Sequence, residues 1–363
     1  MKLLFVGTNR GGGGTESHFI TLARTMQEAG HSVAAIVYPG SPIHTGLLNS
    51  GVVLHDGVFR NAFDPRGFRT VWKVCRQYHP NWIIGSFSKE YWPLAVLARL
   101  LRVKLALFKH MDFRMRPATN YFIPRMADRF IVISDFMKRK FIARGVKAEH
   151  MRVLYNPLNL DYFKPDPELR QTSRKNLGYA DNDIVLGFLG ALHPDKGFLQ
   201  LADAVNQAML AIPNLKALWL GDGRGADALD NIIYGGGLAS RHARHKWTSD
   251  VRPFYAAMDM LAMPSVESET FGRVSIEAQA SGVPVLCSDI GGIPETLLPG
   301  VTGILLRPGD IAAWRDAIIE LASNKPERIK MASQGRAWVE QRFSAPVIGR
   351  EFDAMLQSDE PVN

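Results

Sequence analysis

The sequence is poor in the residues that build secreted, metal-bound or membrane-spanning proteins. Only Cys75 and Cys287 occur among 363 residues, which excludes a disulfide framework or a paired-cysteine metal site and fits a reducing compartment. No apolar run approaches the roughly 20 residues of a membrane-spanning helix. The apolar start of the chain, residues 1–7, is about half as long as the apolar segment of a signal peptide, and we interpret it as a buried strand. We therefore expect a cytoplasmic protein without a membrane anchor of its own.

Positive charge is concentrated in one half of the chain. The formal net charge is +8, from 43 Lys and Arg against 35 Asp and Glu. Residues 1–165 contain 24 basic and 10 acidic side chains, whereas residues 166–363 contain 19 basic and 25 acidic ones. Because the basic residues do not coat the whole protein, we expect no nucleic-acid partner, and we expect the first half to meet something anionic.

Short apolar runs alternate with amphipathic stretches of helical length in two successive series. Between the first two runs, Phe19, Leu22, Ala23 and Met26 share one helical face. Strands that are buried on both faces and joined by helices predict parallel sheets covered by helices. The predicted fold is therefore α/β, with two doubly wound, Rossmann-like domains facing across a cleft, where the ligands of such sheets bind.

A stretch rich in proline and polar residues, 156–181, marks the linker between the two domains. We assign residues 1–165 to an N-terminal domain and residues 166–342 to a second domain. Residues 343–363 are predicted to form a C-terminal helix and tail that could pack back on the N-terminal domain. The tail after Gln357 is expected to be frayed.

Three loops at predicted strand ends contain residues suited to anion binding or proton transfer. Glycines 11–14 open a helix whose backbone amides could bind an anion, although their spacing is not that of a dinucleotide-binding loop. His110 follows a predicted strand over 105–108 and could donate a hydrogen bond or hold a proton near neutral pH. Lys196 lies in a turn before a helix, where its charge could neutralise a phosphate. Each could equally be an ordinary loop residue, and spacing alone does not decide.

The most specific pattern lies between residues 264 and 284. A predicted strand ends at Pro264, a loop contains Glu269, and a helix that begins near Gly272 carries Glu277. Glutamate accepts paired hydrogen bonds from the vicinal hydroxyls of a sugar or ribose, and the amides of a helix N-terminus can bind a diphosphate. Alternatively, Glu277 could simply decorate an exposed helix. That interpretation would not explain why Glu267 and Glu269 cluster at a strand end near Gly272.

This pattern resembles the E-x7-E signature of family 4 glycosyltransferases, which are retaining, nucleotide-sugar-dependent enzymes of the GT-B fold. The resemblance covers nearly the whole chain and is to the bacterial lipopolysaccharide and glycolipid type. Further similar segments follow in the family's order. They are the GGxE-like loop at 13–16, the Asn-Pro pair at 156–157, Lys-Gly at 196–197, the GDG turn at 221–223, the approach to the glutamates at 247–265, and the segments 291–295 and 302–303.

The resemblance implies a role for each matching residue of a donor site. Glu269 would hold hydroxyls of the donor sugar, and Glu277 would bind the ribose. Lys196 would neutralise the diphosphate leaving group, and His110 would lie beside the transferred sugar, so that His110, Lys196 and Glu269 would be the catalytic residues. Phosphate would also be held by backbone amides at Thr270, Phe271 and Gly272 and at Gly13 and Gly14.

The resemblance also implies an acceptor site and a metal-independent reaction. The N-terminal domain would bind a glycan or lipid-linked acceptor through Thr15 and Glu16. The donor would be a UDP- or GDP-sugar, which is a co-substrate and not a cofactor. No divalent metal would be needed if Lys196 and backbone amides stabilise the leaving group, and the sequence has no DxD motif to hold one.

Two positions depart from the family pattern. Ala191 stands where the family usually has a phosphate-binding arginine, and Lys246 replaces a common glycine. Lys246, Arg273 or His193 could supply the missing charge, and the sequence does not choose among them.

Residues 99–147 contain 13 basic and 3 acidic side chains mixed with apolar ones. The apolar members include Met111, Phe113, Met115, Tyr121, Phe122 and Ile123. Such a mixture suits an anionic membrane surface or RNA, and it also occurs as a plain solvated face. The family resemblance favours peripheral contact with the inner face of the cytoplasmic membrane, near a lipid-linked acceptor.

The leading hypothesis is a retaining, hexosyltransferase-type glycosyltransferase of lipopolysaccharide or cell-surface polysaccharide synthesis. One alternative is a sugar-nucleotide 2-epimerase, which the E-x7-E helix disfavours. Another is a basic-patch protein that binds membrane or nucleic acid and has a decayed donor site, which the intact Glu269, Glu277 and Lys196 disfavour. The sequence leaves open the sugar, the nucleotide, the acceptor and the oligomeric state.

Overall fold

The structure is a computed structural model that describes residues 1–267 and 269–358. It divides into two compact units, of which the first comprises Met1–Leu158 with the C-terminal stretch from Phe343, and the second comprises Asn159–Arg342. We call these the first unit and the second unit.

Each unit contains one parallel sheet. The strands of the first unit are Lys2–Gly7 (β1), Ser32–Val37 (β2), Val53–Asp56 (β3), Trp82–Gly85 (β4), Lys104–Lys109 (β5), Arg129–Val132 (β6) and Met151–Val153 (β7). Those of the second unit are Ile184–Leu189 (β8), Leu215–Leu220 (β9), His242–His245 (β10), Met260–Met263 (β11), Val285–Ser288 (β12) and Gly303–Leu306 (β13). Their spatial orders are β3-β2-β1-β4-β5-β6-β7 and β10-β9-β8-β11-β12-β13, so each sheet is doubly wound from its first strand outwards.

Helices cover both sheets. In chain order they are Gly14–Glu28 (α1), Pro42–Leu47 (α2), Pro65–Tyr78 (α3), Tyr91–Leu101 (α4), Pro117–Met126 (α5), Asp135–Ala143 (α6), Pro167–Leu177 (α7), Phe198–Ala211 (α8), Ala226–Tyr234 (α9), Arg252–Ala257 (α10), Arg273–Ala280 (α11), Ile311–Ser323 (α12), Lys325–Phe343 (α13) and Ala345–Gln357 (α14). Across 1–267 and 269–358, every helix falls short of the length and apolarity that a membrane span requires.

The strands predicted from apolar runs are all present, and two further strands were missed. The missed ones, β3 and β10, lie at the edges of their sheets. Most of their residues are only partly buried, because one side of an edge strand lacks a neighbour. Polar residues interrupt both strands, so neither shows a continuous apolar run in the sequence.

The C-terminal helix α14 packs within the first unit. The ring of Phe352 lies 5.5 Å from that of Phe108 on β5, measured between centroids. The guanidinium of Arg129 donates to the backbone oxygens of Met355 at 2.9 Å and of Ser358 at 2.6 Å, which satisfies the carbonyls at the end of the helix. The residues predicted to form a frayed tail beyond Ser358 lie outside the described part of the chain.

Candidate active site

Lys196 and Glu269 meet in the second unit. The Lys196 Nζ donates to the Glu269 Oε2 at 2.5 Å, although the two residues lie 73 positions apart. Their side chains are 30% and 19% exposed, so the pair is open to a ligand. An ammonium and a carboxylate at this distance can bind a negatively charged group and a hydroxyl group side by side.

A close backbone contact holds the Lys196 turn against the loop that carries Glu269. Lys196 ends a 3₁₀ turn between β8 and α8, and Asp195 accepts a hydrogen bond from the Val266 amide at 2.9 Å. Gly197 has a φ of +66°, and a Cβ at this position would lie 2.0 Å from the backbone oxygen of Pro264. Only glycine fits both the conformation and the space.

The segment that contains Glu269, Thr270 and Phe271 is held from the other side by a glycine pair. The Gly292 amide donates to the Glu269 carbonyl at 2.8 Å. Gly291 has a φ of +65°, and a Cβ there would lie 2.2 Å from the same carbonyl oxygen. The backbone on which Glu269 sits is therefore fixed before any ligand binds.

Helix α11 begins directly after this segment. Its N-cap is Gly272, with a φ of 105° and no side-chain capping hydrogen bond. The first amides of a helix have no partner within the helix, and the helix dipole favours negative charge at this end. The start of α11 thus offers donors to an anion next to the Lys196–Glu269 pair.

Glu277 on α11 is held by two partners. Its Oε1 accepts from the Arg273 Nε at 2.7 Å, and its Oε2 accepts from the Tyr255 hydroxyl at 3.0 Å. Tyr255 is fully buried, and burial together with the Glu277 charge raises its pKa well above the usual range, so it stays a donor. Each carboxylate oxygen keeps a second lone pair, with which Glu277 can still accept from a pair of hydroxyls.

The three side chains considered as substitutes for the missing arginine at Ala191 differ in their surroundings. Arg273 is paired with Glu277. His193 is paired with Asp195, and Lys246 is exposed.

A further cation, which the sequence reasoning missed, lies near this turn. The Leu192 amide donates to the Asp222 carbonyl at 2.9 Å, which joins the Lys196 loop to the GDG turn. Arg224, the residue after that turn, has its Nη2 3.3 Å from the His193 Nε2. Its position directly after the GDG turn was the only signal in the sequence.

The remaining predicted site residues belong to the first unit, at the start of α1 and the end of β5. Helix α1 begins at Gly14 with Gly13 as its N-cap, and no side chain caps it. Thr15 lies in its first turn. Glu16 is 6% exposed and accepts from the Asn9 Nδ2 at 2.5 Å, which ties α1 to the loop after β1.

His110 is buried beside α1. Its ring centroid lies 4.6 Å from that of His18, with the two rings nearly perpendicular. Burial, reinforced by the charge of Lys109, lowers the pKa of His110 to about 3. The imidazole is therefore neutral at pH 7 and can donate one hydrogen bond, but the expectation that it holds a proton near neutral pH is wrong.

A buried carboxyl that the sequence did not indicate orders the loop after β1. Glu90 is fully buried, and its Oε1 accepts from the Thr8 amide at 2.8 Å and from the Thr8 hydroxyl at 2.7 Å. Burial raises the pKa of Glu90 to about 7, against the opposing effect of these hydrogen bonds. The Thr8 hydroxyl in turn accepts from the Phe59 amide at 3.1 Å, so one carboxyl connects the loops after β1 and β3.

Sequence models of two glycosyltransferase families match the chain. The model described as Glycosyltransferase Family 4 matches residues 12–162, and the model described as Glycosyl transferases group 1 matches residues 183–324. Together they cover about four fifths of the chain.

Similar proteins are found among curated sequences and solved structures. A GDP-mannose-dependent monoacylated alpha-(1-6)-phosphatidylinositol monomannoside mannosyltransferase of Corynebacterium glutamicum is 31% identical over 64% of this chain and 62% of its own length. A D-inositol 3-phosphate glycosyltransferase of Mycobacterium tuberculosis is 31% identical over 66% of this chain and 51% of its own length. The chain thus spans between half and two thirds of the curated relatives it matches.

A solved structure matches over almost its full length. HepE of Anabaena, in complex with UDP and glucose, is 25% identical, with a TM-score of 0.84 over 98% of this chain and 99% of that one. This likeness, together with the two doubly wound sheets, confirms the GT-B fold. The glutamate-bearing α11, the Lys196 turn and the two family matches lead to one assignment: the chain belongs to glycosyltransferase family 4.

Proposed function

We propose that this protein is a retaining glycosyltransferase that moves a sugar from a nucleotide diphosphate to a glycan or lipid-linked acceptor, in the synthesis of lipopolysaccharide or another cell-surface polysaccharide. The observation that carries the proposal is the Lys196–Glu269 pair, which lies beside the uncapped start of α11. The names of similar proteins support a nucleotide-sugar donor, since one is GDP-mannose-dependent and another was solved with UDP and glucose. They support both nucleotides equally.

The residues of the second unit suit the chemistry of the leaving group. When the bond between the anomeric carbon and the β-phosphate oxygen breaks, negative charge grows on the diphosphate. Lys196 and the amides from Thr270 to the start of α11 would stabilise that charge, and fixed donors act most strongly where charge develops. Glu269 would accept hydrogen bonds from the donor sugar, and Glu277 from the ribose hydroxyls.

Retention follows if attack and departure occur on the same face of the sugar. The acceptor hydroxyl would form the new bond to the anomeric carbon as the diphosphate leaves, and its proton would pass to the β-phosphate oxygen. No protein base is then required, which agrees with the lowered pKa of His110, since an imidazole with a pKa of about 3 is a weak base. In this proposal the stabilisation comes from Lys196 and backbone amides, and no divalent metal takes part.

A panel of UDP- and GDP-sugars tests the proposal. The true donor should raise the melting temperature of the protein by mass action. Transfer to an acceptor, carried out with EDTA present, should give a product whose anomeric configuration, measured by NMR, equals that of the donor. An inverted product, or the absence of any stabilising nucleotide sugar, would contradict the proposal.

We also propose peripheral membrane contact through residues 99–147. Several apolar side chains of this stretch are exposed, most of all Phe113 at 72%, with Met111, Tyr121 and Phe122 near one half. Met115 and Ile123 instead belong to the buried interior, so they take no part. The Arg125 guanidinium lies 3.9 Å from the centre of the Tyr121 ring, a pairing of basic and aromatic groups that suits a lipid headgroup region.

Binding to vesicles checks the membrane contact. The protein should sediment with phosphatidylglycerol vesicles at low salt and be released at high salt, because the attraction to anionic lipid is screened. Phe113→Ser should weaken the binding several-fold, and Phe63→Ser, a control that removes an even more exposed ring outside the stretch, should not. Failure of the unaltered protein to bind such vesicles would overturn the proposal.

A further inference from the structure

A concave basic pocket lies at one edge of the first unit. It has a volume of about 360 Å³, and its lining includes Arg10, Arg60 and Arg66. Arg10 comes from the loop after β1, Arg60 from the loop after β3, and Arg66 from the first turn of α3. The loops after adjacent parallel strands meet at the carboxyl edge of a sheet, where such folds bind ligands.

The three guanidinium groups have no carboxylate partner. Within residues 1–267 and 269–358, no Asp or Glu lies within ion-pair distance of Arg10, Arg60 or Arg66. The Arg10 guanidinium lies 4.5 Å from the centre of the Tyr38 ring, which also lines the pocket. The ring can hold the guanidinium in place without neutralising it.

Two acidic residues, Asp56 and Asp64, also line the pocket, and the buried Asp64 is hydrogen-bonded to the backbone. Asp64, the N-cap of α3, accepts from the Arg66 amide through Oδ1 at 3.0 Å and from the Arg60 amide through Oδ2 at 3.0 Å. These hydrogen bonds lower the pKa of Asp64, so it is ionised at neutral pH. Asp64 therefore shapes the loop that presents Arg60 and Arg66 and leaves their guanidinium groups available.

The placement of Arg66 itself indicates an anion. The positive end of the helix dipole disfavours a cation in the first turn of a helix, where Arg66 lies. A bound anion would relieve this conflict.

We propose that this pocket binds a phosphate group of the acceptor, through Arg10, Arg60 and Arg66. Three planar guanidinium forks match a phosphate monoester, which offers three terminal oxygens and up to two negative charges, better than a carboxylate with two oxygens and one charge. The inference rests on the proposed function in treating the loops of the first unit as the acceptor site. Phosphate recognition at these loops selects acceptors that are phosphorylated sugars or phosphate-bearing lipids.

Calorimetric titration tests the proposal without requiring turnover. The probes are glycerol 3-phosphate, which is soluble, and dihexanoyl phosphatidic acid below its micellar concentration. Arg10→Ala, Arg60→Ala and Arg66→Ala should each weaken binding about tenfold, since each removes one charged hydrogen-bonding group. The triple variant should weaken it about a hundredfold or more, and replacement by lysine should restore part of the affinity. Arg76→Ala, an exposed position nearly three turns further along α3, should have no effect.

The results of the titrations distinguish phosphate binding in this pocket from the proposed glycosyltransferase activity. Binding of both probes means that a phosphate monoester is sufficient, whereas binding of the lipid alone identifies a lipid headgroup, and either result supports the pocket if it depends on the three arginines. Binding of neither probe, or binding unchanged in the triple variant, overturns it. Lys196→Ala should retain binding of the probes, so a failure of the glycosyltransferase proposal would not be mistaken for a failure of this one.

Discussion

Replacing Lys196 with alanine is expected to lower kcat for sugar transfer by about a thousandfold while leaving the fold intact. Lys196 is partly exposed and its only described side-chain contact is with Glu269, so its loss removes little packing. Its charge opposes the charge that grows on the leaving diphosphate, and an interaction that strengthens in the transition state acts on kcat more than on donor binding. Initial rates with the donor found in the thermal-shift panel measure the effect.

A matched control and a companion variant make the result specific. Lys175→Ala removes an exposed lysine at the end of α7 and should leave kcat unchanged. Glu269→Ala should also abolish most transfer, because it removes the acceptor of the sugar hydroxyls. Full turnover in both Lys196→Ala and Glu269→Ala would refute the mechanism.

Gly197→Ala is expected to destabilise the second unit strongly. The new Cβ would lie 2.0 Å from the backbone oxygen of Pro264, and the residue would keep a positive φ of +66°. The left-handed conformation alone costs about 1–2 kcal/mol for a non-glycine residue. Displacement of the backbone around Pro264 should add roughly 2 kcal/mol or more to the loss of unfolding free energy. Sugar transfer should fall as well, since the Lys196 turn would move away from Glu269.

The variant Gly178→Ala separates the cost of the left-handed conformation from the cost of the clash with Pro264. Gly178 ends α7 with a φ of +77°, and a Cβ there would meet nothing within 4 Å. Its alanine variant should therefore lose only the conformational part, about 1–2 kcal/mol, and keep full activity. Denaturant unfolding of both variants, followed by tryptophan fluorescence, measures the difference in unfolding free energy. An equal loss of unfolding free energy in the two variants would show that the contact with Pro264 does not contribute to stability.

The positions of most strands could be predicted from the sequence, because these strands are buried on both faces of their sheet. Such strands must be apolar at every position, which is how β1 and β8 were recognised. Strands β3 and β10 were missed because polar residues such as Asp56 and Arg244 interrupt their apolar pattern. The position of Glu277 on α11, the helix that follows Glu269, was likewise predictable, because it depends only on local chain geometry.

The partners of the site residues were less predictable. Arg273 was considered as a free phosphate ligand, whereas it lies one helical turn from Glu277 and is paired with it. For His110 the sequence allowed either hydrogen-bond donation or a proton held near neutral pH, and burial beside His18 keeps the imidazole neutral. In both cases the side chain's charge state depends on neighbours and desolvation, which residue type alone does not reveal.

By itself, the sequence determined the two parallel sheets, the E-x7-E helix and the lysine turn, because each depends on the burial pattern or spacing of a short segment. The tertiary structure alone decided which loops meet. Lys196 follows β8 and Glu269 follows β11, and the two loops are neighbours because β8 pairs with β11 in the sheet. In the same way, the adjacency of β1, β2 and β3 gathers Arg10, Tyr38 and Arg60 into one pocket. Strand order is set by how whole sheets and helices pack, a property that no single segment of the chain contains.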